Sequence, residues 1–333
     1  MKIAHYKNSR LAWAPDELSF CINKYSNHES YVNEKFNEAN IIQYHNKYVQ
    51  ERDLKKLNIN LKDLQDKPSA ILYHSFPEIV DNYSNVKMLN NILHVYFKNK
   101  KNKSNFSIFF NELNKNFINY FLKKKKINQM VIGQYQATLN EYNNYPIFRN
   151  IIDYNKSNYK FKNPIKNKIK IGYAPSITTQ KSRSIWENKG YKKTILILDN
   201  LSKKMNIEFD LITKCSLEEC LYRKSACNII IDECVTSSFH RSGLEGLALG
   251  KLTICSLGKE VTKVLSKSTG TDLIPFENIW INDLEEKLID IINMGTDYII
   301  EKGNKNRLWM EEYWNPIDIV NEYIDYYKKL IYE

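Results

Sequence analysis

The 333-residue chain contains no run of about eighteen apolar residues, so the sequence offers no membrane-spanning helix. Its opening residues, MKIAHYKNSR, lack the apolar stretch of a secretory signal, which points to the cytoplasm. Cysteine is sparse: Cys21, Cys215, Cys220, Cys227, Cys234 and Cys255 form no CxxC pair, and none stands at zinc-finger spacing from a histidine. The six read as reduced thiols of core or loop, and no metal site is expected. No internal repeat stands out, although both halves of the chain begin with the same strand-and-loop plan.

What is present fits a protein of two domains, since the chain is long for one core and comfortable for two of about 150 residues each. The hydrophobic fraction of 43% is ordinary for a soluble protein. The net charge of +11 is unevenly divided: residues 1–163 hold 25 Lys and Arg against 14 Asp and Glu, whereas residues 164–333 hold 24 of each. The excess concentrates in Lys98, Lys100, Lys101, Lys103 and the run Lys123 to Lys126. Two readings are open. The runs are a solvated face, swelled by a composition rich in Asn, Ile, Tyr and Lys such as AT-rich coding sequence produces. Alternatively they face an anionic partner: nucleic acid, a phosphorylated lipid carrier or the inner face of a membrane.

Elements alternate as in an α/β protein. Strands are expected at Lys2–His5, Ala39–Tyr44, Ser69–Tyr73 and Met130–Gly133, and a helix opens at Pro15, Asp16 and Glu17, residue types suited to a first turn. Residues 155–167 are polar and basic without periodicity, which marks the linker. A second sheet opens at Lys168–Tyr173 (KIKIGY). After it come Ser176, a loop with Lys181 and Arg183, then Lys189 and Gly190 before a helix through Leu201. Glu208–Thr213 is the next strand, and Ser216 opens a helix with Glu218 and Glu219 in its first turn.

The segment from Ile229 to Cys255 is the most informative. Ile229, Ile230 and Ile231 form a short β-branched run of the kind buried on both faces of a parallel sheet, ended by Asp232 and Glu233. A polar loop follows, and Ser242 with Glu245 three residues on fits a capping box. The helix carries Leu244, Leu247, Ala248 and Leu249, Gly250 closes it, and Leu252–Cys255 return to strand. A loop entering a helix from the carboxyl edge of a parallel strand is a ready anion site, so His240, Arg241 and the amides of Ser242 and Gly243 are expected to face an anion.

This stretch, with Glu245 followed closely by GLALGK, resembles the donor site of GT-B glycosyltransferases, in particular the retaining, family 4-like branch. The resemblance covers the second half well and the first in outline. It implies two Rossmann-like domains facing a cleft: an acceptor-side domain at 1–163, a nucleotide-sugar domain at 164–305, and a helix at 306–333 returning to the first. It also implies that Glu245 binds ribose hydroxyls, that Lys189, followed by glycine, reaches the donor diphosphate, and that His74, in LYHSFPE, lies by the donor sugar. Ser176, Arg183, His240, Arg241, Ser242 and Gly243 complete the candidate donor-binding set. Where the family often has a second glutamate eight residues before the first, this chain has Ser237.

In the first half His5, His45 and His74 each stand at or just beyond a strand end, the edge where α/β enzymes build sites. His45 with Asn46 offers contacts to acceptor or sugar, and Asp16 is a candidate acid or base. The expected reaction is metal-independent transfer of a sugar from a nucleotide diphosphate sugar to a hydroxyl. No bound cofactor is expected. The acceptor is a surface glycan or a lipid-linked glycan, with the protein cytoplasmic or peripheral to the inner membrane face. The alternatives are a phage-type transferase acting on hydroxymethylated DNA bases, a sugar-nucleotide epimerase, and a basic nucleic-acid-binding protein without chemistry.

Overall fold

A computed structural model describes residues 1–7, 14–45, 57, 66–74, 127–139, 142, 144–160, 168–175 and 189–333. The chain divides into two compact units. One comprises Met1–Ile132, Glu141–Phe148 and Val320–Glu333, the other Gly133–Asn140 and Arg149–Ile319. The lysine-rich stretches between Lys98 and Lys126 lie outside the described residues, as do Ser176, Lys181, Arg183 and Asn46.

In the first unit, strands β1 (Lys2–Tyr6), β2 (Glu29–Val32), β3 (Ile41–His45), β4 (Ser69–Tyr73), β5 (Asn128–Ile132) and β6 (Ile147–Phe148) form a sheet of order β2-β1-β3-β4-β5-β6. All its pairings are parallel. Helix α1 (Ala14–Tyr25) carries Asp16 and Glu17 in its first turn, where they complement the helix dipole. Alternation along the strands sends Ala4, Tyr6, Ile42, Tyr44 and Ile71 to one face, into an apolar cluster with Phe36, Ala39 and Ile127. The opposite face carries His5, Gln43 and His45, all buried. Phe148 packs its ring 4.5 Å from that of Tyr323, so the end of the chain belongs to this unit's core.

The second unit repeats the winding. Its strands are β7 (Ile169–Tyr173), β8 (Ile207–Leu211), β9 (Ile229–Glu233), β10 (Leu252–Cys255) and β11 (Glu277–Asn278), in the order β8-β7-β9-β10-β11. These pairings are also parallel. Helix α2 (Tyr191–Lys204) is followed by α3 (Leu217–Ser225), α4 (Arg241–Ala248), α5 (Lys259–Thr269), α6 (Leu284–Asn293) and α7 (Thr296–Tyr313); the last helix, α8 (Pro316–Tyr332), starts in this unit but from Val320 belongs to the first. Ile171, Ile229, Ile231 and Ile254 meet Leu198 and Leu201 of α2 and Leu284 and Leu288 of α6 on one face. The other face receives α4, where Gly246 allows the approach: a Cβ there would stand 2.7 Å from Thr253 Oγ1 and 3.1 Å from Ile230 Cβ. Ile229–Ile231 are fully buried, as expected of a strand covered on both faces.

The tail expected as one helix at 306–333 falls on two, the end of α7 and α8. Trp314 ends α7, and Pro316 opens α8 at the first helical position, where its missing N–H costs nothing. Among the described residues no helix is long and apolar enough to cross a membrane.

Candidate functional site

Both sheets place their chemistry at the same topological point. In each, the chain steps from the first strand to one side and then crosses to the other, so the winding reverses between β1 and β3 and again between β7 and β9. Crevices at the carboxyl ends of such strands are where open parallel sheets bind ligands.

In the second unit the loop after β9 leads into α4. Asp232 accepts the backbone N–H of His240 at 2.5 Å, and the His240 ring Nδ1 lies 3.4 Å from the same carboxylate. Gly243 fits against it: a Cβ would stand 3.0 Å from Asp232 Oδ2. Glu233 accepts the N–H groups of Val235 and Thr236, each at 2.9 Å, and the Thr236 hydroxyl. The loop is therefore folded around two buried carboxylates at its root. Burial pushes the Glu233 carboxyl up. For Asp232 burial acts the same way, but His240 and Lys189 outweigh it and the net shift is downward.

Glu245 sits one turn into α4 and is 4% exposed. Its Oε2 accepts from Lys224 Nζ at 2.7 Å and its Oε1 from Arg241 Nε at 3.0 Å. Lys224, on α3 and only 1% exposed, also donates to Ser242 Oγ at 2.8 Å. Burial would raise the Glu245 carboxyl and lower the Lys224 ammonium, yet their mutual attraction wins, holding Glu245 below and Lys224 above its ordinary value. Lys224 is absent from the residues the sequence singles out. It stands 21 positions before Glu245, a spacing without local periodicity, and a lysine in the last turn of α3 reads as a dipole partner exposed to solvent.

Two expectations are corrected here. The helix begins two residues earlier than a capping box requires: His240 is its N-cap, and Glu245 turns to Lys224 and Arg241 instead of back to the Ser242 amide. The amides expected to face an anion are also partly used. Gly243 N donates to His240 O at 3.1 Å, whereas the amide of Ser242 has no acceptor among the described residues. Lys189 precedes Gly190 in a left-handed turn, with φ of 50° and 73°, and its charge acts on Asp232. Gly190 is needed there, because a side chain at that φ would also strike Val235 Cγ2 at 2.8 Å. Thus Glu245, Arg241, Ser242, Gly243, His240 and Lys189 gather around the root of one loop. Ser237, in place of the family's other glutamate, adopts φ 62° and accepts Gly258 N–H at 3.1 Å.

In the first unit the reversal point holds histidines. His45 Nδ1 lies 2.6 Å from His74 Nε2, and its other nitrogen 3.0 Å from His5 Nδ1. Asp16 forms an ion pair with Lys7. Among the described residues no group of His, Cys, Asp and Glu is arranged to hold a metal ion.

No family model matches the chain, and no curated protein matches it in sequence. Solved structures do match in fold. Sucrose-phosphate synthase from Thermosynechococcus elongatus superposes with a TM-score of 0.56 at 10% identity, over 99% of this chain and 98% of that one. Anabaena HepE in complex with UDP and glucose superposes with a TM-score of 0.55 at 11% identity, over 99% and 100%. HepE with UDP-glucose gives 0.53 at 10% identity, over 99% and 100%. The chain has the GT-B fold. Its two parallel-sheet α/β units are the Rossmann-like pair of that fold.

Proposed function

We propose that the chain is a glycosyltransferase that moves a sugar from a nucleotide diphosphate sugar to a hydroxyl acceptor. The observation that carries this reading is the buried Glu245, aligned by Lys224 and Arg241 at the start of the helix that follows the reversal-point strand. A carboxylate has about four lone-pair positions, and the two cations occupy one on each oxygen, so acceptor capacity remains for a pair of ribose hydroxyls. A carboxylate held below its ordinary value stays ionised and accepts both. HepE, which shares the fold, was crystallised with UDP-glucose.

Transfer leaves a nucleoside diphosphate whose charge grows as the glycosidic bond breaks, and fixed donors aimed at that charge lower the barrier. In this reading the Ser242 amide and the Lys189 ammonium serve the diphosphate without a metal, and Arg241 shares its guanidinium between Glu245 and the phosphate. Ser176 and Arg183 complete the donor set. His74 acts on the transferred sugar with retention, and His45 and Asn46 lie toward sugar or acceptor. The charge of the first half favours an anionic setting for the acceptor, a glycan at a membrane surface.

The test is a thermal-shift screen against UDP, GDP, ADP, CMP and their sugars. A ligand at a hundred times its Kd stabilises by about 2.7 kcal/mol. The control is Glu245→Gln, since Glu245→Ala would strand the Lys224 ammonium. A shift with one nucleotide that Glu245→Gln abolishes supports the reading, and no shift with any sinks it. Steeply salt-dependent binding to duplex DNA would move the acceptor to modified bases. Interconversion of the sugar nucleotide without acceptor would indicate an epimerase.

A further inference from the structure

Lys224 stands in the last turn of α3, only 1% exposed, and reaches across to the start of α4. An ammonium carries three N–H groups and no lone pair. All three have acceptors here: Glu245 Oε2 at 2.7 Å, Ser242 Oγ at 2.8 Å and the Ser242 carbonyl oxygen at 3.4 Å. Nothing is left over for a ligand. Whatever Lys224 does for a bound molecule it does through Glu245 and Ser242.

Each of these side chains is altered by the contact. Burial alone would favour the neutral form of Glu245, but Lys224 on one oxygen and Arg241 on the other keep the carboxylate ionised and stop it from turning. Its remaining lone pairs are therefore fixed in direction. Ser242 is partly exposed. A hydroxyl beside an ammonium gives it a lone pair and turns its own proton elsewhere, and among the described residues that proton has no acceptor. A fixed acceptor and a fixed hydrogen-bond donor thus stand three residues apart, neighbours on one helix, held by the same nitrogen.

We propose that Lys224 is a positioning residue of the nucleotide-sugar site: without touching the ligand it sets Glu245 as an ionised acceptor and turns the Ser242 hydroxyl outward as a donor. The inference rests on the glycosyltransferase reading, in which Glu245 meets the ribose hydroxyls. It adds that the hold of Lys224 on Glu245 makes the site select ribonucleotides over their 2′-deoxy forms. A carboxylate locked between two cations cannot turn to make up for a missing hydroxyl, and a site built to bond a hydroxyl rejects the analogue that lacks it. The groups facing Glu245 are Lys224 and Cys220 from α3 and Arg241 on its own helix, while Asp232 on β9 acts on Lys224. Burial pushes the Cys220 thiol up to about 11, so only the two cations oppose protonation of Glu245.

The experiment is titration calorimetry of the full chain with UDP and 2′-deoxy-UDP at pH 8 and pH 6, or with the matching pair of another base if the thermal-shift screen selects it. The unsubstituted chain should prefer UDP by about tenfold, one hydrogen bond to a charged group. Lys224→Gln removes the charge. Its preference for UDP should shrink toward unity, and its UDP affinity, taken relative to the unsubstituted chain to cancel the titration of the phosphate, should fall further at pH 6. The sign follows from burial, which raises Glu245 once Lys224 is gone, so that the ionised acceptor is lost as pH falls. A role in the fold alone would weaken both nucleotides equally at both pH values and would overturn the proposal. Ser242→Ala leaves the ion pair satisfied and serves if Lys224→Gln does not fold. It should weaken UDP and 2′-deoxy-UDP alike, by about fivefold, with the preference intact. Unchanged binding in Ser242→Ala, or an unsubstituted chain that binds both nucleotides equally, would overturn the proposal while leaving the transferase reading in place. No binding of any nucleoside diphosphate would overturn both.

Discussion

The two sheets wind in the same order and reverse at the same place, yet one reversal point is lined with hydrogen-bonded imidazoles and the other with carboxylates and cations. Topology fixes where side chains converge, because strands that diverge there leave a crevice at their carboxyl ends. It does not fix what converges. In the first unit the rings bond to one another, and burial keeps His5 and His45 neutral. In the second, ions are stripped of water and survive only because each has a partner. The two sites should therefore fail differently when a member is removed.

The largest effect is expected from breaking the buried pair on one side. Lys224→Met leaves Glu245 in the interior with Arg241 as its remaining cation and should destabilise the second unit by about 3–5 kcal/mol. Hydrogen exchange on peptides from β7, β9 and β10 would read that loss, with β1, β3 and β4 as the internal control. The double variant Lys224→Met/Glu245→Leu should recover most of the stability while abolishing nucleotide binding. Failure to recover would mean that the pair shapes the unit beyond its own charges.

Acid should separate the units next. The folded values of His5 and His45 lie below the unfolded 6.5, so between those values the unfolded chain binds protons that the folded chain refuses. Their contribution is complete above pH 6.5 and is lost as pH falls below it, for His5 down to about 3 at about 1.4 kcal/mol per pH unit. Asp232 and Glu245 are also depressed, but from 3.8 and 4.5, so their contribution is lost only at lower pH. Glu233, raised by burial, acts in the opposite sense. Hydrogen exchange at pH 7.5, 6 and 5 should thus show protection falling first in β1, β3 and β4. Equal losses in both units would break the contrast between neutral and ionic sites.

Much of this was legible in the chain. The runs SAILY and IIIDE announce strands because β-branched and apolar residues crowd them, and the strand at Ser69–Tyr73 has the expected bounds. The strand at Glu29–Val32 escaped notice, since ESYV is short, polar at its start and at the sheet edge. The three histidines were visible one by one at strand ends. Their union depends on register across three strands, which no local pattern carries. Lys224 was hidden for the same reason: its partner lies across a strand and a loop, and a lysine gives no sequence sign that it will be buried. Ser242 looked like a cap because three-residue spacing to Glu245 is a local signal. Tertiary partners for both side chains overrode it.

A milder substitution in the first unit sharpens the comparison. His45→Phe keeps the volume and removes both ring bonds, leaving His5 unsatisfied, and should cost about 1–3 kcal/mol. Urea unfolding followed by exchange in β1 and β3 would measure it. A cost equal to that of Lys224→Met would mean that the neutral chain is as demanding as the ion pair.

The smallest effect on stability, and the cleanest on binding, is expected at Lys189. Its φ of 50° is a conformation glycine adopts freely and lysine does not, so Lys189→Gly removes the ammonium and relieves the backbone together. Stability should hold or rise slightly. Affinity for the nucleotide diphosphate should fall about tenfold, the loss of one charge-assisted contact. Titration calorimetry with the diphosphate and with the matching monophosphate would separate the two. A loss for the diphosphate alone places the ammonium on the second phosphate, whereas an equal loss for both moves it to the first. No loss for either would return Lys189 to the surface and leave the Ser242 amide and Arg241 as the whole of the anion site.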